Sequence, residues 1–231
     1  LKVGLYVNDP DATIPRFVRC LAAWNMDFVS IWRDRLKDLR PGDADVLLLH
    51  GGWYGIDRVP GMDQHHFKQK PENRAMARAV RDFVAAGRGA VGVCAGSFNI
   101  IWLGLIEADI SRTDGTGPHS MEVVNARHPI LKDVIEHCKS HPERKWKRLP
   151  VTRINGPVFF PRDKKTMVLS YDWEQRMGAV LAAPFGKGRA VAISPHPERT
   201  ERDFGKNILI EEPLMPVAGL LRNALVWAAG R

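Results

Sequence analysis

The sequence predicts a single α/β domain, a three-layer sandwich in which a mostly parallel central sheet is flanked by helices. Two observations predict it. Short strands alternate with helical segments in the first half of the chain, which is typical of parallel sheets joined by right-handed crossovers. Several of these strands are continuous apolar runs, as expected for strands buried on both faces. The 231 residues, 45% of them hydrophobic, suffice to bury one sizeable core, so we assign residues 1–231 to one domain.

The predicted elements follow one another in order. The first half holds strands at Val3–Val7, Phe28–Trp32, Val46–Leu49 and Ala90–Val93, and helices from Ile14 and at Asn73–Ala86. From Ile110 to Val180 the segments are short and separated by turn residues, which predicts an added β-rich part of strands and loops. Val180–Ala183 and Ala190–Ser194 predict two strands joined by a hairpin turn. An apolar stripe in Pro216–Ala229 predicts a terminal amphipathic helix.

Charge and hydropathy limit the kinds of partner. The net charge is +8, and the segment from Arg127 to Lys165 holds 11 basic against 4 acidic residues. This pattern indicates a solvated basic face, with an anionic substrate or partner as the alternative. The sequence shows no motif of a nucleic-acid reader, so we expect no specific nucleic-acid partner. No apolar run approaches the roughly 20 residues that span a bilayer, so we expect no membrane span.

The cysteine count gives little support to disulfides or metals. Cys20, Cys94 and Cys138 are too few and too irregularly spaced for a disulfide framework. A Cys20–Cys138 bridge would need an oxidising compartment, and the sequence leaves it open. No zinc-binding spacing is present, so we predict no metal and no cofactor. No signal peptide is visible, which favours the cytoplasm, although a signal removed before Leu1 would allow a secreted or periplasmic protein.

The pattern with the clearest chemistry is Gly92-Val93-Cys94-Ala95-Gly96. A buried strand runs directly into a candidate nucleophile with glycine two residues before and two after, the strand-to-helix elbow with Cys in place of Ser. The nucleophile of an elbow sits on a sharp turn, where flanking side chains would collide with the backbone. The turn places the thiol at a helix N-terminus, whose partial positive charge favours the thiolate. We predict that Cys94 is a nucleophile, and a buried structural cysteine is the alternative.

Ser194-Pro195-His196-Pro197-Glu198 supplies the partners that a cysteine nucleophile needs. The segment follows a predicted strand, and ligand sites of open α/β sheets lie at the carboxyl ends of strands. His196 would take the thiol proton, and Glu198 would orient the imidazole. The alternative is a proline-rich turn whose histidine faces solvent.

The diglycine Gly51-Gly52, which follows the strand ending at His50, predicts an oxyanion hole. Glycines let backbone N–H groups approach a reacting carbonyl, and we expect the N–H groups of Gly52 and Ala95 to do so. A diglycine is also an ordinary loop. The residues predicted to line the substrate pocket are Gly51, Trp53, Tyr54, Ser97 and Phe98. The long polar loop from Trp53 to Pro71 predicts a lid over this pocket.

At these three places the chain resembles the class I glutamine amidotransferase-like superfamily. That family has a flavodoxin-like sheet, a Gly-x-Cys-x-Gly elbow, an early Gly-Gly oxyanion strand and a late His-Pro-Glu, and the order matches from Val3 to Leu225. The resemblance implies a flavodoxin-like fold and a Cys94–His196–Glu198 triad. Asn155-Gly156-Pro157-Val158-Phe159 also resembles the domain at the N-terminus of fungal biotin–protein ligases (BPL_N), which occurs as stand-alone bacterial proteins too.

Phe98 departs from the family pattern. Glutaminase domains carry Gln at this position to hold the glutamine substrate, and an apolar ring cannot replace its hydrogen bonds. A buried polar group left without a partner costs about 1–3 kcal/mol, so the departure puts glutaminase activity in doubt. The sequence shows no synthetase or ligase domain, so chemistry with ammonia would need a separate synthetase or ligase partner. A homo-oligomer is also open.

Three functions fit these patterns. The first is a cysteine-dependent hydrolase or amidase acting on a small-molecule or amide substrate. The second is a catalytically silent binding or regulatory domain that keeps the triad as a relic. The third is a relative of intracellular-protease-like proteins, which usually hold an acidic residue near the end of the first strand. Asp9 is the nearest acid here and sits in a proline-containing turn, so this function ranks third.

Overall fold

The computed structural model describes residues 1–7, 14–51, 70–113, 115–140, 146–199 and 217–231. Within them lies one 11-stranded sheet. Its strands are β1 Lys2–Val7, β2 Asp27–Trp32, β3 Val46–Leu49, β4 Gly89–Val93, β5 Ala108–Arg112, β6 Thr116–Val123, β7 Arg148–Ile154, β8 Pro157–Pro161, β9 Met167–Asp172, β10 Gly178–Phe185 and β11 Gly188–Ile193. The helices are α1 Ile14–Ala23, α2 Pro71–Ala85, α3 Ala95–Trp102, α4 Pro129–Lys139 and α5 Ala218–Ala228, with a 3₁₀-helix at Arg33–Asp38.

The sheet has two halves with different strand directions. Its order is β2-β1-β3-β4-β11-β10-β9-β6-β7, and β5 and β8 pair beside β10. The first five strands of this order run parallel and form what we call the parallel half. The remaining strands pair antiparallel and form the antiparallel half. The predicted mostly parallel α/β sheet with an added β-rich segment is confirmed.

The register of the parallel half brings three loops to one edge of the sheet. Val93 at the end of β4 lies opposite Ile193 at the end of β11. Leu49 at the end of β3 lies opposite Gly92. Because parallel strands end at the same edge, the segments that follow β3, β4 and β11 leave the sheet side by side.

Helices cover both faces of the parallel half, as a three-layer fold requires. Alternate residues of β3 enter two separate core clusters, and all four side chains of the strand are fully buried. Phe17 of α1 and Leu220 of α5 pack on one face. Phe83 of α2 and Ile100 of α3 pack on the other face. Strands buried on both faces explain why their sequences are continuous apolar runs.

Helix α4 was not predicted within the segment from Ile110 to Val180, which was expected to hold mostly strands and loops. The apolar residues of α4 recur at helical spacing and are buried: Ile130, Leu131, Val134, Ile135 and Cys138. Pro129 occupies the first turn, where its missing N–H is not needed. His128 caps the helix by accepting a hydrogen bond from the N–H of Ile130 at 3.3 Å. The turn residues around the helix concealed this short periodic segment.

The structure describes the state of two buried cysteines and the length of the helices. Cys20 on α1 and Cys138 on α4 are buried as thiols, so no disulfide joins them in the structure. None of the helices in the described ranges is long and apolar enough to cross a membrane.

Part of the basic stretch from Arg127 to Lys165 stacks on tryptophan rings. The guanidinium of Arg148 lies 4.1 Å from the centre of the Trp173 ring. The ammonium of Lys139 lies 4.8 Å from the centre of the Trp146 ring. Such cation–π contacts let long cationic side chains cover apolar rings while their charge stays near solvent.

Candidate active site

Cys94 occupies a strained turn between β4 and α3. Its backbone angles are φ 49° and ψ −111°, a conformation that residues other than glycine rarely adopt. Neighbouring groups hold this turn. The N–H of Cys94 donates to the carbonyl of Ile193 at 2.8 Å, and the hydroxyl of Ser97 donates to the carbonyl of Cys94 at 2.5 Å. The strained cysteine and its fixed surroundings are those of a nucleophile elbow.

The two glycines of the elbow are there because no side chain fits. A Cβ on Gly92 would collide with the carbonyl of Gly96, the second residue of α3. A Cβ on Gly96 would collide with the carbonyl of Leu49 at the end of β3. Both obstacles are backbone atoms, which cannot rotate away as a side chain can. The close packing of α3 on β3 therefore depends on glycine at these positions.

His196 and Glu198 form a buried hydrogen-bonded pair. Nδ1 of His196 donates to Oε1 of Glu198 at 2.6 Å, and the two residues are 2% and 3% exposed. The backbone of His196 is also fixed, because its N–H donates to the carbonyl of Thr152 on β7 at 2.8 Å. With Nδ1 as the donor, Nε2 is the ring nitrogen left to accept a proton. The burial disagrees with a histidine that faces solvent.

Gly51 shows that Cys94 and His196 are close neighbours. A Cβ built on Gly51 would lie 2.7 Å from Cε1 of His196 and 3.0 Å from Cβ of Cys94. The imidazole of His196 and the Cβ of Cys94 therefore both pack against the backbone of Gly51. Glycine leaves room for both at this position.

The thiol proton of Cys94 is directed to the antiparallel half. Sγ donates a hydrogen bond to the carbonyl oxygen of Ile154, at the end of β7, at 3.5 Å. Nε2 of His196 is buried and has no hydrogen-bond partner among the described residues. In this arrangement Nε2 is the nitrogen of His196 that is available to accept the thiol proton.

The surroundings of His196 favour its protonated form. Burial by itself lowers its pKa, but the charges of Glu198 and Cys94, both of which lie close to the ring nitrogens, raise the pKa to about 10. The shift means that a proton leaving Cys94 is held well by the imidazole, because the resulting cation lies between two anions. The arrangement can therefore support a thiolate–imidazolium pair.

The other predicted site residues lie in different environments or outside the described residues. Ala95 begins α3 directly after Cys94. Ser97 is fully buried and its hydroxyl braces the elbow, so that group does not face a substrate. Phe98 is half-buried with its ring 5.6 Å from that of Trp102. Gly52, Trp53, Tyr54, the predicted lid up to residue 69, and Asp9 lie outside the described residues.

The turn that follows β7 was not predicted from the sequence as part of the site. Asn155 has φ 46°, and its side-chain oxygen accepts a hydrogen bond from the N–H of Gly115 at 2.9 Å. A Cβ on Gly156 would lie 2.8 Å from the carbonyl oxygen of Ser194. This turn helps to position the Ile154 carbonyl, which accepts the hydrogen bond from the Cys94 thiol. Asn-Gly is a recognisable turn signal, but a backbone acceptor has no signature in the sequence.

A polar cluster of buried Asp172, partly buried His119 and Arg153, and exposed Glu174 lies beside β7. Nε2 of His119 lies 2.7 Å from Oδ2 of Asp172, and Nη1 of Arg153 lies 3.2 Å from Oε2 of Glu174. Oδ1 of Asp172 accepts hydrogen bonds from the N–H groups of Glu174 and Gln175. Arg153 sits between Thr152 and Ile154, the two residues whose carbonyls hold His196 and Cys94. The cluster therefore anchors the strand that positions the pair.

Solved structures show which known proteins share this fold. A glutamine amidotransferase from Thermotoga maritima matches with a TM-score of 0.61 and 16% identity, over 100% of this chain and 99% of that chain. PurLQS from the same organism matches with a TM-score of 0.61 and 15% identity, over 98% of each chain. A glutamine amido transferase from Methylobacillus flagellatus matches with a TM-score of 0.55 and 15% identity, over 87% of this chain and 72% of that chain.

The other comparisons give no relative. No protein-family model matches the chain, and no curated protein matches it. At sequence identities of 15 to 16%, these structural matches are evidence of a shared fold only. The chain therefore has the α/β, flavodoxin-like fold of glutamine amidotransferases.

Proposed function

We propose that the chain is a cysteine-dependent hydrolase or amidase that cleaves a carbon–nitrogen bond through Cys94, His196 and Glu198. The observation that carries the proposal is the buried His196–Glu198 pair, set against Gly51 together with Cys94. A nucleophile, a base and a carboxylate that orients the base are the parts of a catalytic triad. In this chain all three follow the carboxyl ends of adjacent parallel strands.

The chemistry follows from the positions of the protons. His196 accepts the thiol proton at Nε2, and the sulfur attacks the amide carbon to give a tetrahedral oxyanion. Backbone N–H groups, with Ala95 and Gly52 as the candidates, stabilise that charge. His196 then gives its proton to the leaving amine, and the C–N bond breaks to leave a thioester on Cys94. Water hydrolyses the thioester, with His196 as base, and releases the acid.

The proposal extends to a family within the glutamine amidotransferase-like superfamily and to a synthetase or ligase partner. The Asn155–Phe159 segment and the elbow support a relationship to the BPL_N domain within the glutamine amidotransferase-like superfamily. Phe98 stands where a glutaminase carries Gln, and its ring packs on Trp102. We therefore expect an amide other than free glutamine as the substrate. If ammonia is released for synthesis, a separate synthetase or ligase must accept it, as the fold likeness to PurLQS suggests.

A catalytically silent binding or regulatory domain is the second candidate. One observation favours it: the thiol donates its proton to the Ile154 carbonyl instead of to His196. A carbonyl can accept a hydrogen bond only from a protonated thiol, so this contact is one that a thiolate could not make. A buried thiol held in this way would serve structure and not catalysis.

Alkylation of Cys94 by iodoacetamide as a function of pH separates the two functions. In a working triad the parent chain is alkylated quickly at neutral pH, because the imidazolium of His196 stabilises the thiolate. Replacing the base, His196→Ala, should slow alkylation about 10-fold or more, within the range for losing a general base. Cys94→Ser is the control for labelling at Cys20 and Cys138. Slow labelling that is indifferent to His196 would establish the silent domain.

The raised pKa of His196 sets the direction of the pH dependence. Because its pKa is raised from 6.5 to about 10, the stabilisation from the charged ring is fully present below pH 6.5. It is lost as the pH rises through 10. In Glu198→Gln the carboxylate charge, the largest of the causes that raise this pKa, is absent, while burial still lowers the pKa and Cys94 still raises it, so the pKa of His196 falls. We expect slower alkylation than the parent at neutral pH, with the difference closing as the pH approaches 10.

A further inference from the structure

His50 is a buried histidine beside the candidate site that the triad does not use. It follows β3, is 3% exposed, and its ring lies 6.1 Å from the ring of Tyr6 and 6.0 Å from the ring of Phe17. Its Nδ1 lies 2.5 Å from the carbonyl oxygen of Gly51. At that distance the nitrogen carries the proton, because a carbonyl oxygen can only accept. The Nδ1–H of His50 therefore holds the carbonyl of Gly51.

The carbonyl that His50 holds belongs to the backbone against which the reacting groups meet. Cε1 of His196 and Cβ of Cys94 both lie within 3.0 Å of the point where a Gly51 side chain would begin. A peptide unit is planar and trans, so its carbonyl oxygen and the N–H that follows point in opposite directions. The hydrogen bond from His50 therefore fixes the direction of the Gly51 carbonyl, beside the place where Cys94 and His196 meet.

We propose that His50 is a positioning residue for acyl transfer at Cys94, which it serves by holding the carbonyl of Gly51. The inference rests on the proposed hydrolase function. A tetrahedral intermediate at Cys94 carries a negative oxygen, which an N–H stabilises and a carbonyl oxygen repels. By binding the carbonyl, the imidazole keeps that oxygen from turning toward the intermediate. His50 touches no substrate in this role.

The surroundings of His50 explain why a polar ring is needed at an otherwise apolar position. Tyr6 and Phe17 pack beside the ring, and burying a polar nitrogen among such groups is costly unless it is hydrogen-bonded. An aromatic or aliphatic side chain would fill the same space without that cost. The structure instead places a donor next to the Gly51 carbonyl.

Two reactions of the same thiol test this role. Acylation by p-nitrophenyl acetate passes through an oxyanion, whereas alkylation by iodoacetamide is a displacement that forms none. His50→Phe keeps a ring and removes the donor. His50→Asn places an amide nitrogen the same number of bonds from Cβ as Nδ1, so it is the matched conservative variant. Thermal unfolding of both variants reports whether packing around the ring is preserved.

The expected result is a selective loss. In His50→Phe the rate of acylation should fall about 10-fold or more, approaching the loss of one oxyanion donor, while the alkylation rate stays within about 2-fold. His50→Asn should recover the acylation rate. Equal losses in both reactions, or no difference between the two variants, would overturn the role. If His50→Phe does not fold, His50→Gln replaces it, because its amide is one bond too far from Cβ.

The two proposals fail in different ways. A parent chain that reacts slowly with both reagents, indifferent to His196, removes the hydrolase function and with it the acyl transfer that His50 would serve. A parent chain that is alkylated quickly but not acylated keeps the reactive thiol and overturns the role of His50. A parent chain that undergoes both reactions, with a selective loss in His50→Phe, supports both proposals.

Discussion

The parallel and antiparallel halves of the sheet contribute different kinds of atom to the candidate site. The parallel half supplies side chains with chemistry, since Cys94 follows β4 and His196 and Glu198 follow β11. The antiparallel half supplies backbone oxygens. The carbonyl of Thr152 accepts from the N–H of His196, and the carbonyl of Ile154 accepts from the thiol of Cys94.

The difference teaches that reactive groups and the groups that aim them need not come from the same part of a fold. Nucleophile, base and carboxylate are residue types, and their identity is visible in the sequence. A carbonyl is present at every residue, and only the tertiary structure shows which one points at the site. The two halves can therefore be disturbed separately, and each disturbance predicts a different loss.

The largest effect on stability is expected from Gly96→Ala in the parallel half. The added Cβ would collide with the carbonyl of Leu49, so α3 and β3 must separate. We expect the free energy of unfolding to fall by about 3 kcal/mol, as for an overpacked core position. Urea denaturation measures it.

Gly42→Ala is the matched control for the same substitution. No atom lies within 4 Å of a Cβ at Gly42, so the added methyl meets open space. We expect this variant to unfold within about 0.5 kcal/mol of the parent, as for an ordinary surface change. If the Gly96 variant were as stable as the control, the close packing of the elbow on β3 would be wrong.

These two halves also differ in how much the sequence predicted. The elbow, the strands of the parallel half and the segment around His196 were predictable because each depends on local spacing or on continuous apolar runs. The pair His119 and Asp172 was missed, because its members lie 53 residues apart and only the folded sheet joins them. Helix α4 was missed because its two buried turns are short and flanked by turn residues.

The antiparallel half is tested at Asn155, whose turn carries the Ile154 carbonyl. Asn155→Ala loses the hydrogen bond from the N–H of Gly115 and places alanine at φ 46°. The lost bond and the left-handed conformation together cost about 2 kcal/mol. Because the carbonyl that accepts the hydrogen bond from the thiol is then less fixed, we expect faster alkylation of Cys94 by iodoacetamide at neutral pH.

Asn155→Asp is the control for this turn. Its carboxylate keeps an acceptor for Gly115 at the same position, and aspartate tolerates the left-handed conformation better than alanine does. It should retain both the stability and the alkylation rate of the parent. Faster labelling in both variants, or in neither, would mean that the Asn155 turn does not control the thiol.

The smallest effect belongs to a part of the second half that lies outside the site, the N-terminal cap of α4. The pKa of His128 is lowered from 6.5, by burial first and then by the charge of Arg189. The ring is therefore neutral at neutral pH and can accept from the N–H of Ile130. His128→Ala should cost about 1 kcal/mol and leave the alkylation rate of Cys94 unchanged.

Comparison with His128→Asn tests whether the cap titrates. Because the folded pKa of His128 lies below 6.5, its contribution to stability is complete above that pH and is lost as the pH falls through the lowered value. Asparagine is a strong N-cap that does not titrate in this range. The parent should therefore lose stability relative to His128→Asn on acidification below pH 6. Parallel unfolding curves for the two chains at every pH would show that the histidine cap does not titrate with folding.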